Sequence, residues 1–208
     1  MNTNYVICIG RQPGSGGLLI GKKLAQALGL NFYDKELLQL ASQESGLGKE
    51  FFEKYDEKTI HNLYGGLVGI QGSFMGEINA GYYLNNENLF SIQSKVIRNL
   101  ADKEPCLFVG RCSDYILKEH PRCLSVFITA DISDRVKRVS QDLDLSESKA
   151  IAYLNKMDKK RANYYNYFTN KKWGEATSYH ISINSSVLGI EATVEMIKEM
   201  VKRRFEIQ

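Results

Sequence analysis

Tyr5-Val-Ile-Cys-Ile-Gly-Arg-Gln-Pro-Gly-Ser-Gly-Gly-Leu-Leu-Ile-Gly-Lys-Lys-Leu24 decides the fold. Tyr5 to Ile9 is apolar and β-branched, short enough for a buried strand. Arg11 to Gly17 is a breaker cluster, and Leu19, Ile20, Leu24, Ala27 and Leu28 then recur at helical spacing. Strand, Gly-rich turn and helix together form the layout of a phosphate-binding loop. Glycines let successive backbone N–H groups curl round an oxyanion, and the helix N-terminus adds partial positive charge.

Against the pattern G-x-x-x-x-G-K-[ST], Arg11 takes the first glycine position and Gly16 the second. Gly17 stands where the lysine belongs and Leu18 where the hydroxyl that helps to hold Mg²⁺ belongs. A second register, Gly16 to Lys22, spells the glycines and lysine, but its loop would be Leu-Leu-Ile, which reads as helix. The first register is therefore preferred. A turn that binds nothing is the competing reading.

The chain has 208 residues, 43% of them hydrophobic, enough for a real core in one domain over residues 1–208. A net charge of +3 suits small anions and gives no argument for nucleic acid. Apolar runs are too short for a membrane span, and no signal-peptide layout opens the sequence, so a cytoplasmic protein is expected. Cys8, Cys106, Cys112 and Cys123 include no C-x-x-C pair and read as reduced thiols.

Asn31-Phe-Tyr-Asp34 reads as a short strand, and Asp34 either caps a helix over 35–45 or faces the site from the strand end. In residues 61–88, six glycines alternate with apolar residues and neither period survives. This stretch reads as a substrate-covering flap, with disorder or a homodimer contact as alternatives. Leu89 to Lys103 has helical spacing, and Cys106 to Val109 is a second buried strand that ends in Gly110-Arg111, ahead of a helix over 113–119. Leu124 to Ile128 is a third strand, with a helix over 131–139 behind it, and Tyr179 to Ile183 is the last. The spacing suits right-handed crossovers: an α/β fold, a parallel sheet with helices on both faces. Ligands of such sheets bind at the carboxyl edge, where Gly14 to Gly17, Asp34 and Arg111 would converge. Residues 156–174, dense in cations and aromatics, read as a solvated helix face or as a lid that brings Lys159 and Arg161 onto phosphates.

Several blocks together resemble the cytidylate kinase-like branch of the P-loop nucleoside monophosphate kinases: Ile9 to Gly17, Phe32 to Leu37, Val109 to Ile116, Asp158 to Tyr165, Trp173-Gly174 and Asn184 to Glu191. The resemblance implies a three-layer P-loop NTPase fold with a lid and a substrate-side insertion. It also implies transfer of the ATP γ-phosphate, with Mg²⁺, to a nucleoside monophosphate such as CMP or dCMP. Carried over by position, Arg11, Gly14, Ser15, Gly16, Gly17 and Leu18 would hold donor phosphates. Arg111 would contact the acceptor phosphate, Lys159 and Arg161 would grip the transferred group, and Asp34, Lys35 and Asp114 would lie on the substrate side. The sequence departs from characterised cytidylate kinases at Gly17, Leu18, Lys35, Leu40 and Cys112. Arg11, Lys22 or Lys35 could make good the missing lysine. A binding protein that has lost the chemistry, or a kinase for another small metabolite, is the alternative.

Overall fold

The computed structural model describes residues 4–35 and 75–207, the side chains of 75–86 excepted. Strand β1 (Val6–Arg11) leads into α1 (Gly17–Leu28), then β2 (Asn31–Tyr33). Helix α2 (Met75–Lys103), β3 (Cys106–Val109), the single turn α3 (Ser113–Ile116) and β4 (Cys123–Thr129) follow. The chain closes with α4 (Ile132–Leu143), α5 (Glu147–Thr169), β5 (Ile181–Asn184) and α6 (Ser185–Phe205). Two compact units are distinguished: Met1–Lys35 with Arg98–Gln208, and Glu36–Ile97, of which α2 up to Ile97 is the described part.

In the first unit the five strands lie in the order β2-β3-β1-β4-β5, every pair parallel. Parallel strands covered on both faces need apolar side chains at successive positions, which is why Val6 to Ile9 and Cys106 to Val109 are fully buried. One face carries Ile7, Ile9, Leu107, Val109, Val126 and Ile128 against Ile20 and Leu24 of α1 and Val194, Ile197 and Val201 of α6. Each such side chain, fully buried, contributes roughly 1.5–3 kcal/mol. On the other face Phe127 meets Trp173 edge-on at 5.3 Å and Tyr179 at 4.7 Å. All four cysteines are free and buried, and Cys8 Sγ lies 3.8 Å from Cys123 Sγ.

The preferred loop register is the one observed, with strand ending at Arg11 and helix beginning at Gly17. Three expectations change. Residues 75–88, expected to have no period, are the start of α2. Gly76 and Gly81 cost a helix only about 1 kcal/mol each, which the rest of a 29-residue helix outweighs. The expected flap over 61–74 and the helix beyond Lys35 lie outside the described residues. Helix α3 is one turn rather than two, and the last strand begins at Ile181 because Ala176–Ser178 form a 3₁₀ turn. Among the described residues, no helix is long and apolar enough to cross a membrane.

Candidate phosphate site at the carboxyl edge of the sheet

Each carbonyl oxygen of the loop from Arg11 to Gly16 has a donor. Arg161 Nη1 donates to Arg11 O at 2.8 Å. Ser15 Oγ donates to Gln12 O at 2.8 Å. Buried Arg135 gives Nε–H to Pro13 O at 2.8 Å, and Arg138 Nη1 donates to Gly14 O at 2.9 Å. Ser185 Oγ donates to Ser15 O at 2.7 Å, and Ile20 N to Gly16 O at 2.9 Å. Two amides of the turn are engaged within it, Ser15 N–H on Gln12 O at 3.3 Å and Gly17 N–H on Ser15 Oγ at 3.4 Å. Gly14 and Gly16 adopt φ of 73° and 76°, a left-handed conformation that favours glycine. Among the described residues the amides of Gly14, Gly16 and Leu18 have no protein acceptor, as the opening turn of a helix leaves them. Orphan donors at a helix N-terminus fit an anion.

The clamp runs on into α5. Arg135 Nη2 pairs with Asp158 Oδ2 at 2.7 Å, Arg135 almost wholly buried, so one guanidinium joins the loop to the helix that also carries Arg161. Sequence reasoning missed Arg135, Arg138, Asp158 and Ser185. They act on main-chain atoms and on one another across the fold, and no local spacing announces that.

Three cations gather beside the loop. Burial, with the charges of Arg161 and Arg111, pushes Arg11 down to about 9, and Asp34 opposes the shift. Arg161 is likewise held below its ordinary value, first by burial. At neutral pH both remain charged, so the cluster favours an anion among them. Arg111 lies over the Tyr164 ring, 5.8 Å from its centre, on a turn in which Gly110, Arg111 and Cys112 have φ of 80°, 57° and 56°. Two consecutive non-glycine residues in that region store strain of a kind that concentrates at functional sites.

The other expected site residues are placed as follows. Asp34 directly follows β2, is 9% exposed, and favours the charged form of Arg11. Lys35, beside it, is exposed. Asp114 is not among the cations: its Oδ2 accepts from Tyr165 Oη at 2.7 Å, and burial raises its carboxyl above the usual range. Lys159 is exposed. Two residues from Arg161, it is about 200° round the helix, so α5 brings Arg161 and not Lys159 to the loop. Lys22 lies over the Phe32 ring at 5.9 Å, towards β2. Leu18 is 42% exposed at the start of α1. Among the described residues, no three His, Cys, Asp or Glu side chains come together as a metal site.

The sequence model of the cytidylate kinase-like family matches residues 6–187. Among curated proteins there is no significant match. A crystal structure of an uncharacterized protein from Eubacterium ventriosum superposes with a TM-score of 0.73 at 28% identity, covering 96% of this chain and 99% of that one. Shikimate kinase from Bacteroides thetaiotaomicron superposes at 0.52 with 14% identity over 98% of this chain and 99% of its own, a likeness of fold alone.

Proposed function

Because the chain belongs to the cytidylate kinase-like family, we propose that it is a phosphotransferase moving the ATP γ-phosphate to a nucleoside monophosphate, CMP or dCMP first. One observation carries the reading. A loop in which the amides of Gly14, Gly16 and Leu18 have no protein acceptor among the described residues opens beside Arg11, Arg111 and Arg161, three cations with a single acid, Asp34, among the charges acting on Arg11. Phosphoryl transfer needs positioning and charge neutralisation more than a protein nucleophile.

In this reading an oxygen of the acceptor monophosphate bonds to the γ-phosphorus as the bond from that phosphorus to the β,γ-bridging oxygen breaks, leaving ADP. The attacking oxygen is already an anion, so no residue need remove a proton. The loop amides hold the donor phosphates, Arg111 orients the acceptor, and Arg161 reaches the transferred group while tying α5 to Arg11 O. Mg²⁺ would enter with the nucleotide, bound by its phosphate oxygens, and neutralise charge there.

A second reading, transfer to a hydroxyl of another small metabolite, has Asp34 in its favour. A hydroxyl acceptor must lose a proton, and this buried carboxylate at the β2 end could take it. Coupled phosphotransfer with ATP and Mg²⁺ against CMP, dCMP, UMP and AMP, with Arg111→Ala as control, decides. Turnover on CMP or dCMP that collapses in the control is expected. No turnover on any monophosphate, with ATP still bound, would overturn the nucleotide reading in favour of the hydroxyl acceptor or a silent binding protein.

A further inference from the structure

Gly17 opens α1 and is absent from the positions with positive φ, so its backbone does not demand glycine. Its surroundings do. A Cβ on Gly17 would lie 2.5 Å from Arg11 Cβ and 3.1 Å from Arg11 Cγ. At the far end of the same side chain, a Cβ on Gly110 would run into Arg11 Nη1. Two glycines from two different elements therefore bracket one arginine, the first clearing its stem and the second its head.

We propose that Arg11 is the side-chain cation of this phosphate loop, that it replaces the lysine expected at position 17, and that Gly17 is glycine because it clears the Arg11 stem, while Gly110, reserved for glycine by its φ of 80°, leaves room for the head. The inference rests on the site being one for phosphoryl transfer. A lysine at 17 and an arginine at 11 compete for one volume, so the loop carries its cation on the end of the strand instead of the start of the helix. The two are not equivalent. A lysine offers a point charge, whereas the planar guanidinium can grip two phosphate oxygens at once. The charges acting on Arg11 are those of Arg161, Arg111 and Asp34, which belong to α5, the β3–α3 turn and the β2 end. Its head therefore sits where the donor's terminal phosphate meets the acceptor, and its ligand is the polyphosphate of a nucleoside triphosphate.

Binding of inorganic tripolyphosphate and of MgATP, measured by calorimetry on the full chain, tests this without depending on turnover. Arg11→Ala should weaken tripolyphosphate binding about 10- to 100-fold, the range of one lost charge-assisted hydrogen bond. Gly17→Ala should weaken it too and lower the melting temperature, because the new methyl group displaces Arg11. In an Arg11→Gly background, which removes the opposing Cβ as well, the same Gly17→Ala change should have no further effect. Moving the cation, with Arg11→Gly and Gly17→Lys together, should recover at least about tenfold of the loss, as one restored charge-assisted bond would give. The inference is overturned if Arg11→Ala binds tripolyphosphate like the wild type, if Gly17→Ala acts equally in both backgrounds, or if the wild-type chain does not bind tripolyphosphate. Arg11-dependent binding with no turnover on any monophosphate would instead overturn only the nucleotide reading of the acceptor.

Discussion

Neighbouring strands β1 and β3 end alike, in Ile9-Gly10-Arg11 and Val109-Gly110-Arg111, with Ile9 opposite Val109 in the sheet. Their backbones then part. β1 has β4 on its other side, where Gly10 pairs with Phe127 and Arg11 with Ile128, and it stays extended through Arg11. β3 has β2 on its other side, and that pairing stops at Tyr33 opposite Phe108. After Gly110 N donates to Ile9 O at 2.9 Å, β3 turns into three left-handed residues. Even the glycines differ in purpose. A Cβ on Gly10 would press 2.7 Å from Phe127 Cδ2, whereas Gly110 takes a left-handed φ of 80° beside the Arg11 head. The same dipeptide thus aims one arginine from a relaxed strand and another from a strained turn, and how far the outer neighbour pairs, to Arg11 for β1 but only to Phe108 for β3, decides which.

The largest effect expected from this difference is at Arg111. Arg111→Ala should lower kcat/KM roughly 10²- to 10³-fold, the cost of removing one group aimed at developing charge, with the melting temperature kept. Arg111→Gly should lose as much activity yet unfold at higher denaturant, because it releases left-handed strain of about 1 kcal/mol or more. Chemical denaturation beside steady-state kinetics reads both. Turnover in Arg111→Ala within threefold of wild type would mean that the strained turn serves no catalytic purpose, and the comparison would reduce to sheet topology.

The relaxed end depends instead on a remote clamp. Arg135→Met would strip Pro13 O and Asp158 Oδ2 of their donor while leaving a buried methionine in place. Roughly 2–4 kcal/mol of stability should be lost, with a rise in KM for ATP as the loop loosens. A shift in the urea midpoint well under that value would show that Arg138 and Ser185 hold the loop without it.

How much of this could be read in advance follows from the same physics. Buried parallel strands write themselves as apolar runs closed by glycine, so the strand cores, the loop register and Arg111 at a strand end were legible. The opening of α2 was not, because glycines at 76 and 81 mask a helix that the rest of its length sustains. The carbonyl clamps of Arg135, Arg138 and Ser185 were not legible either, since a donor to a main-chain oxygen needs only proximity in the fold. Lys159 was chosen on charge and resemblance, and helical geometry separates it from Arg161. Gly17, a departure from the lysine pattern by sequence, acquires a physical reason only from Arg11 packed against it.

The smallest effect lies just past the strained turn, at Asp114. Burial raises its carboxyl above the ordinary range, against the hydrogen bond from Tyr165 that lowers it. The folded chain therefore holds this proton at pH values where the unfolded chain has released it. Its contribution to stability falls as pH rises from near 4 through the raised value, and is constant above. Asp114→Asn does not titrate and can still accept from Tyr165 Oη. The melting temperature of the variant minus that of the wild type should climb over that window by about 1–3 °C, the scale expected for a chain of this size, and then level off. A flat difference would mean that Asp114 ionises as freely folded as unfolded. A level difference combined with a hundredfold loss of turnover would move Asp114 from the aromatic layer to the cations, and the turn after β3 would then present a charge of each sign where the loop after β1 presents amides and a single cation.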